Sequence, residues 1–397
     1  MYESKGVCWV QELTKVGNIT DKFTGGRSLI SIDHANGSSM HQAESLTSES
    51  DLVPTGSGKT AGERIHAGAA VHSGSAVPSW QTAMKRAIRS ASVLRQRLNL
   101  PPESDQTEPD FPTFVPLELL SRIRVGDIND PILKQVLPVA AEQQSVPGFG
   151  SDPVGDLNSI KATGTLHKYH GRVLMITTGA CGVHCRYCFR REFPYSDSSG
   201  VRQNWSASID YIRSHEEVDE VLLSGGDPLT LADDKLSALI DQLEAIPHVR
   251  RLRIHSRMPI VVPQRVTDGL VRRLSESRLA VWMVVHANHP QECDAAVEAA
   301  FAKLINGGIP VLNQSVLLRG VNDDVDVLAE LSRKLVNHRV QPYYLHQLDR
   351  VAGAAHFEVP VQDGLELVRQ LTAKLPGYAV PTYVSEDSGE PSKTRLT

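Results

Sequence analysis

Residues 173–188, VLMITTGACGVHCRYC, decide the fold. The apolar and β-branched run at 173–177 predicts a buried strand. A short turn follows, and then three cysteines at the spacing CxxxCxxC: Cys181, Cys185 and Cys188. A strand that delivers reactive side chains just beyond its carboxyl end is typical of α/β folds, whose sites lie at that end of the parallel strands.

Further apolar runs follow this one along the chain. They begin at residues 220, 251, 281, 311 and 342, roughly 30 residues apart, and alternate with amphipathic segments of helix length. This repetition predicts a parallel sheet. The chain lacks a dinucleotide-binding glycine fingerprint. The pattern therefore favours an α/β fold with a partial (β/α)6 barrel over a Rossmann sheet. The predicted strands cover residues 173–177, 220–224, 251–256, 281–286, 311–316 and 342–345.

Polar residues and glycines come directly after several of these runs. Cys181 follows the first run, Gly225-Gly226-Asp227 follows the second, and His286 ends the fourth. The carboxyl ends of barrel strands meet at one end of the barrel. These residues are therefore expected to share a site at its mouth.

The chain before the first predicted strand divides into two regions. Residues 1–77 are rich in Ser, Gly, Thr and His without a periodic apolar face, which predicts a disordered tail. Residues 78–160 form a predicted helical region, in which apolar residues at steps of three and four predict one amphipathic helix from Trp80 to Leu98. Short helices are also expected at Leu117–Arg124 and Pro131–Val139, and residues 161–397 contain the barrel.

Composition excludes several classes of protein. The 397 residues are 41% hydrophobic and 22% charged, and their net charge of −5 provides no basic field for nucleic acid. No apolar run reaches the length of about 18 residues that crosses a membrane, and the first residues lack a secretory pattern, so a cytoplasmic protein is expected. Five cysteines are too few for a disulfide scaffold of this size.

The crowding of three cysteines into residues 181–188 predicts a metal centre. Three thiolates on a 4Fe–4S cluster leave one iron open for a small molecule, whereas a structural zinc site uses four ligands. One alternative is a four-coordinate structural zinc site with His184 or His286 as the fourth ligand. The second alternative is that the three cysteines are ordinary buried thiols.

The cysteine loop, with Tyr187 before its last cysteine, resembles the cluster loop of radical S-adenosylmethionine enzymes. The resemblance implies that Cys181, Cys185 and Cys188 hold a 4Fe–4S cluster, whose open iron binds the amino and carboxylate groups of S-adenosyl-L-methionine. An electron from the cluster cleaves that molecule to a 5′-deoxyadenosyl radical. The stretch Ser224-Gly225-Gly226-Asp227 resembles the family's second motif, whose backbone and acidic residue hold the methionyl amine.

From Trp80 to Thr397 the chain resembles the lysine 2,3-aminomutase family, and within it the branch that supplies β-lysine for elongation factor P. The aromatic and basic residues after the last cysteine, and the short segment after Lys393, indicate that branch. The matching stretches are LHKY (166–169), CFRREFPY (188–195), NQSVLLRG (313–320) and GEPSK (389–393).

The resemblance also assigns roles to cationic residues. Lys393 is expected to be the catalytic lysine that anchors pyridoxal 5′-phosphate, whose π-system takes up the unpaired electron while the amine moves from C2 to C3. Lys168 and Arg172 are expected to bind the anionic groups of that cofactor. Arg190 is expected to clamp the substrate carboxylate with its planar guanidinium. From the sequence alone, the alternative for each is a surface or salt-bridging cation.

Two acids and two neutral residues complete the site that the resemblance implies. Asp349 and Glu386 occupy positions at which metabolic lysine aminomutases place two acids around the substrate ε-ammonium. The second is Glu here rather than Asp, and the extra methylene displaces the carboxylate by about one C–C bond length. His286 and Gln314 fall on positions that face the adenosyl group. The alternative for both is a structural role.

The function implied by the resemblance is radical isomerisation of (S)-α-lysine to (R)-β-lysine by an enzyme of the lysine 2,3-aminomutase type. Its expected partners are the substrate lysine, a ligase that acts on elongation factor P and a reductant protein, with no nucleic acid and no membrane. One alternative is a free-standing aminomutase acting on lysine or another amino acid. The other is a non-catalytic zinc or iron–sulfur binding protein.

Deletion of residues 1–77 is expected to leave the melting temperature and the activity nearly unchanged, because the segment lacks a periodic apolar face with which to dock. The comparison is a thermal melt and an activity assay of the full and shortened chains under the same anaerobic conditions. A large fall in melting temperature would show that the segment packs against the rest of the protein.

Overall fold

The strands of the described residues form one sheet, in which the order across the sheet is the order in the chain. The structure, a computed structural model, describes residues 77–102, 111–195 and 205–397. Apart from Val77, the tail predicted over residues 1–77 lies outside the described residues. The strands are β1 (Ile160–Ala162), β2 (Thr165–Tyr169), β3 (Arg172–Thr178), β4 (Glu220–Gly225), β5 (Arg251–Ser256), β6 (Ala280–Val285), β7 (Val311–Val316), β8 (Gln341–His346), β9 (Thr382–Ser385) and β10 (Thr394–Arg395).

The pairing of these strands confirms the predicted fold class. All neighbours from β3 to β9 are parallel, whereas β1, β2 and β3 pair antiparallel, as do β9 and β10. The two outermost strands do not pair with each other, so the sheet is an open, partial barrel. The six predicted strands are β3 to β8, each within one residue at either end.

Helices of the described residues are short before the sheet and longer between its parallel strands. None of them is long and apolar enough to cross a membrane. They are α1 (Trp80–Arg86), α2 (Ala91–Arg97), α3 (Leu117–Leu120), α4 (Pro131–Lys134), α5 (Ser206–Arg213), α6 (Asp233–Glu244), α7 (Met258–Val261), α8 (Asp268–Ser275), α9 (Ala295–Asn306), α10 (Val325–Asn337) and α11 (Val361–Lys374).

Helix α10 illustrates how the connecting helices form. The carboxylate of Asp324 accepts hydrogen bonds from the backbone N–H groups of Asp326 (2.8 Å) and Val327 (3.1 Å), which caps the amino end of the helix. Leu328 and Leu335, two turns apart on one face, are buried. The helix therefore covers the sheet with one apolar face and leaves the other to solvent.

The single helix predicted from Trp80 to Leu98 is wrong, because the structure contains two helices, α1 and α2. Between them, Ile88 donates its N–H to the carbonyl of Val115 (2.8 Å) and accepts the N–H of Val115 in return (2.9 Å). This β-bridge requires an extended backbone, which ends the helix although the apolar periodicity continues. The predicted helices near Leu117 and Pro131 are present but shorter, as α3 and α4.

The helical region before the sheet shares its core with the sheet. One continuous cluster of buried apolar side chains contains Leu94 and Leu119 together with Leu223 of β4 and Ile254 of β5. Fully burying one such side chain contributes about 1.5–3 kcal/mol. The described residues accordingly belong to one compact unit.

Candidate active site

A cavity of about 510 Å³ lies at the carboxyl ends of the parallel strands. Residues of β2, β3, β4, β5, β7, β8 and β10 line it, together with His286 directly after β6 and Glu386 directly after β9. Every site residue predicted from the sequence lines this one cavity: Cys181, Cys185, Cys188, Lys168, Arg172, Arg190, Ser224, Gly225, Gly226, Asp227, His286, Gln314, Asp349, Glu386 and Lys393.

The cysteine loop is anchored by the helical region that precedes the sheet. The N–H of His184 donates to the carbonyl of Phe114 (3.0 Å), and the N–H of Arg186 donates to the carbonyl of Gln135 (2.9 Å). The fully buried guanidinium of Arg186 is ion-paired with Glu142 and donates from Nε to Oε1 of that residue at 2.8 Å. These contacts fix the backbone on which the cysteines stand.

Cys181, Cys185 and Cys188 are each half-buried. Burial raises the pKa of Cys181 well above its ordinary value, and negative charge on Cys188, Asp227 and Cys185 adds to that rise. Burial also raises the pKa of Cys188, to about 11. A thiolate here thus needs nearby positive charge, and Arg257 supplies some by donating from Nη1 to the sulfur of Cys185 at 2.7 Å.

The donor set fits a multi-iron cluster better than a single ion. Within the described ranges, no group of three or more His, Cys, Asp or Glu side chains is arranged to hold one metal ion. A tetrahedral zinc site requires such convergence. In a 4Fe–4S cluster each cysteine binds a different iron, so three thiols lining one cavity suffice. His184, one of the candidates for a fourth zinc ligand, has its Nδ1 at 2.9 Å from the carbonyl of Pro112.

The glycine pair after β4 is required by close backbone contacts. Gly225 has φ +115°, in the left-handed region, and a Cβ there would lie 2.7 Å from the carbonyl oxygen of Thr178. At Gly226 a Cβ would lie 2.2 Å from the carbonyl oxygen of Ala180. The N–H groups of Gly226 and Asp227 donate to these same carbonyls, each at 2.7 Å. The turn after β4 is thereby locked against the start of the cysteine loop.

Asp227 holds the neighbouring strand end in place. Its Oδ1 accepts from the N–H of Leu229 (2.9 Å) and the hydroxyl of Ser256 (2.8 Å), and its Oδ2 accepts from the N–H groups of Arg257 (2.8 Å) and Met258 (3.2 Å). Burial raises the pKa of this carboxyl to about 6. Because each oxygen already accepts two hydrogen bonds, the geometry gives Asp227 a positioning role, and the amine contact stays a prediction.

Five side chains of alternating charge cross the cavity, and we call them the charge chain: Arg190, Asp156, Lys168, Glu386 and Lys393. Asp156 lies 2.7 Å from Arg190 and 2.6 Å from Lys168. Glu386 lies 3.0 Å from Lys168 and is also ion-paired with Lys393. The charge chain brings together the predicted substrate clamp, the predicted phosphate contact and the predicted cofactor lysine.

Both acids of the charge chain are held ionised. Burial acts to raise the pKa of Asp156, but the charges of Arg190 and Lys168 outweigh it and lower that pKa. Burial likewise opposes ionisation of Glu386, and the charges of Lys393 and Lys168 hold its pKa well below the ordinary value. Glu386 therefore has its charge compensated by protein lysines.

Asp349 is the second acid predicted to face a substrate ammonium group. Burial raises the pKa of its carboxyl to about 7, and the charge of Glu386 adds to the effect. Among the ion pairs of the described residues, none includes Asp349. An incoming cation would therefore meet in Asp349 an acid that has no ion pair among the described residues.

Arg172 is available to an anion. Its guanidinium lies over the ring of Tyr169, 4.7 Å from the ring centroid, and the ion pairs found in the described ranges do not include it. Arg395 of β10 also lines the cavity, although the sequence analysis did not single it out. Together with Lys168 these arginines provide cationic groups for a phosphate.

Two histidines that the sequence analysis missed line the cavity beside His286. The rings of His255 and His286 lie 5.7 Å apart, and burial lowers the pKa of His286 to about 4. The Nε2 atoms of His255 and His346 are buried without a hydrogen-bond partner, and burial lowers the pKa of both residues well below the ordinary value. Neutral imidazoles of this kind are available to bind a ligand.

The chain is similar to known proteins over most of its length. Residues 175–331 match the Radical SAM superfamily. The chain is 44% identical over 322 residues to the L-lysine 2,3-aminomutase of Escherichia coli (strain K12), which covers 80% of this chain and 94% of that protein. For the enzyme of that name from Haemophilus influenzae the identity is 43% over 320 residues, covering 80% and 95%. For the one from Clostridium subterminale it is 39% over 320 residues, covering 79% and 77%.

Replacement of Gly226 by alanine is expected to destabilise the protein by about 1–3 kcal/mol, because the added methyl group overlaps the backbone of Ala180. The same change should reduce the iron bound after anaerobic reconstitution. Thermal melts and iron assays provide the two measurements. Gly377→Ala is the control, since a Cβ at that position meets no atom within 4 Å. Equal melting temperatures and iron contents in the two variants would contradict the prediction.

Proposed function

Because the chain belongs to the L-lysine 2,3-aminomutase family, we propose that it converts (S)-α-lysine to (R)-β-lysine. It is an isomerase of the aminomutase type, and its superfamily implies a 4Fe–4S cluster and S-adenosylmethionine. When bound, the cluster and S-adenosylmethionine supply the radical that removes a hydrogen atom from substrate, and pyridoxal 5′-phosphate supplies a π-system for the unpaired electron.

One observation carries the proposal. The cysteine loop after β3 and Lys393 before β10 line the same cavity, although most of the barrel separates them in the chain. A radical source and a lysine-anchored cofactor must meet at one substrate for an amine to migrate. Cys181, Cys185 and Cys188 would hold the cluster at one side of the cavity, and Lys393 would hold pyridoxal 5′-phosphate at the other.

The cations around Lys393 suit the phosphate of that cofactor. Lys168 lines the cavity from β2 but is paired with Asp156 and Glu386 and donates to the carbonyl of Val154 (2.9 Å). Arg172 has no ion pair with other described residues, so it has no counter-ion to give up to a phosphate. Paired cations at the end of a strand bind phosphate oxygens by charge-assisted hydrogen bonds. Arg395, two residues after Lys393, offers a third cation on the same side.

We propose that a diamino acid binds with its carboxylate at Arg190 and its distant ammonium group at Asp349, because both residues line the cavity. Arg190 is held by Asp156 through Nε (2.7 Å) and by the hydroxyl of Ser224 through Nη1 (3.2 Å), so its guanidinium is fixed before a carboxylate arrives. Asp349 is the acid without an ion pair among the described residues, and it suits the distant ammonium of lysine. Glu386 is already paired with two lysines. It would add negative electrostatic potential around the substrate ammonium group rather than bind that group alone.

The destination of the product is the finer part of the proposal. We infer that β-lysine is passed to a ligase that attaches it to elongation factor P, and that a low-potential protein reduces the cluster. The stretch CFRREFPY supports this branch, and its Tyr195 donates a hydrogen bond to the carbonyl of Gly225 at 2.8 Å. The tail of the cysteine loop is thus built into the turn after β4.

The test of the function is anaerobic incubation of reconstituted protein with L-lysine, S-adenosylmethionine and dithionite, followed by mass spectrometry. Formation of β-lysine is expected, together with a borohydride-reducible pyridoxal chromophore. Zinc without the chromophore, or no β-lysine from protein that contains both cofactors, would refute the proposal. Adding the ligase and elongation factor P then distinguishes the inferred destination from free β-lysine metabolism.

Lys393→Ala is expected to retain the iron–sulfur absorbance but to lose the covalent pyridoxal chromophore and all β-lysine formation. The reason is that the cysteines and Lys393 stand on different loops of the cavity. Lys374→Ala, which removes an ion-paired lysine at the exposed end of α11, is the control and should keep both signals. A borohydride-trappable cofactor on another lysine with continued product formation would overturn the assignment.

Asp349 predicts a pH dependence. With a pKa of about 7 its carboxyl is neutral below that pH and ionised above it, so kcat/KM for lysine should rise as the pH increases through about 7. Asp349→Asn should lower kcat/KM and remove this limb of the profile. Asp326→Asn, on the exposed face of α10, serves as the control. An unchanged profile in Asp349→Asn would contradict the assignment.

A further inference from the structure

Arg257 lies behind the cysteine loop, at the turn between β5 and α7, with a side chain that is 7% exposed. We propose that Arg257 is a positioning residue that sets the reduction potential of the iron–sulfur cluster through its hydrogen bond to Cys185. The inference rests on the proposed function, in which Cys185 is a cluster ligand. It assigns a role to a residue that the sequence analysis did not single out.

The guanidinium of Arg257 is directed at the sulfur by two other contacts. Nη1 lies 2.7 Å from the Sγ atom of Cys185. On the other side of the group, Nη2 donates to Gln135 Oε1 (2.6 Å) and Glu292 Oε2 (2.8 Å). A planar guanidinium fixed through one nitrogen has little freedom at the other. The sulfur contact is therefore held by the surrounding protein.

Glu292 makes this arrangement possible in a buried setting. Its side chain is fully buried, and its Oε1 accepts from the N–H groups of Asn288 (2.9 Å) and His289 (3.1 Å) and from Gln135 (3.1 Å). A buried arginine without a counter-charge would be strongly destabilising. The pair of Arg257 and Glu292 is neutral overall, yet it presents its positive end to the cysteine and its negative end to the far side.

The same residue also connects the cysteine loop to the turn after β4. The backbone N–H of Arg257 donates to Oδ2 of Asp227 (2.8 Å), while its side chain reaches Cys185. Asp227 in turn belongs to the motif that resembles the S-adenosylmethionine contact. One residue thus joins the cluster ligand to the neighbouring ligand-binding turn.

The electrostatic consequence has a definite sign. Reduction adds one electron from a low-potential one-electron donor to the oxidised cluster, and no bond is made or broken in that step. An N–H donor and a nearby positive charge stabilise the added negative charge. Arg257 therefore makes the cluster easier to reduce, and Glu292 partly offsets this effect.

The test is a redox titration of anaerobically reconstituted holoprotein, in which electron paramagnetic resonance measures the reduced cluster at each potential. Arg257→Gln should show an about tenfold lower ratio of reduced to oxidised cluster at a fixed potential, which is a shift of about 59 mV to more negative values for a one-electron couple. Arg257→Lys keeps the charge but not the planar fork, and should fall between this variant and the unsubstituted protein. Glu292→Gln should shift the potential in the opposite direction.

The control is Arg122→Gln. Arg122 is similarly buried, with a side chain that is 4% exposed, and is ion-paired with Asp294 at 2.8 Å, but its guanidinium contacts Ile260 and Glu292 carbonyls rather than a cysteine. The reduction potential of the cluster in Arg122→Gln should match that in the unsubstituted protein.

The outcomes separate this inference from the proposed function. Unchanged potentials in iron-replete Arg257→Gln and Glu292→Gln would overturn the role of Arg257, as would an equal shift in Arg122→Gln. If Arg257→Gln binds no iron, the test uses the other two variants. A more positive reduction potential in Glu292→Gln and a more negative one in Arg257→Lys would support the role of Arg257, and unchanged potentials in both would overturn it. Failure of the unsubstituted protein to bind a cluster would instead refute the proposed function.

Discussion

The charge chain from Arg190 through Asp156, Lys168 and Glu386 to Lys393 is the interaction on which the site depends. It joins the cysteine loop, β2 and the segment between β9 and β10, so the two ends of an open sheet meet across one cavity. Asp156 is only 2% exposed. Removing one partner from such a group leaves an uncompensated buried charge at a cost of about 3–5 kcal/mol. The arrangement of the side chains in the cavity therefore depends on the balance of buried charges as well as on the pairing of the strands.

The region before the sheet serves as a scaffold for the reactive loop. Its apolar side chains enter the same core as the strands, and its Glu142, Gln135 and Phe114 hold the cysteine loop by ion pairs and backbone hydrogen bonds. Gln135 also orients the arginine beside Cys185. The geometry of the proposed cluster site thus depends on residues that lie 44 to 70 positions earlier in the chain than the loop residues they contact.

Sequence periodicity predicted the parallel strands because each one alternates with an amphipathic helix, and it located Cys181 and the glycine pair because barrel sites follow strand ends. The same rule would have found His255, the penultimate residue of β5, and His346, which directly follows the strand predicted over 342–345. Asp156 does not follow a predicted strand. Its place in the charge chain depends on Arg190 and Lys168, which the sequence pattern around Asp156 does not indicate. The break at Ile88 was also invisible, since a β-bridge to Val115 overrides an unbroken apolar period.

The order of strands in the sheet has a consequence for folding. Each strand pairs with the one before it, so the sheet can grow by contacts that are local along the chain. The hydrogen bond between Lys168 and Glu386, in contrast, joins residues 218 positions apart. A chain that has folded only as far as β8 would present the cysteine loop but leave the cavity open on one side. During refolding, closure of the cavity therefore reports the docking of the segment that carries Glu386 and Lys393. This step can be separated in time from the formation of the helices and the sheet.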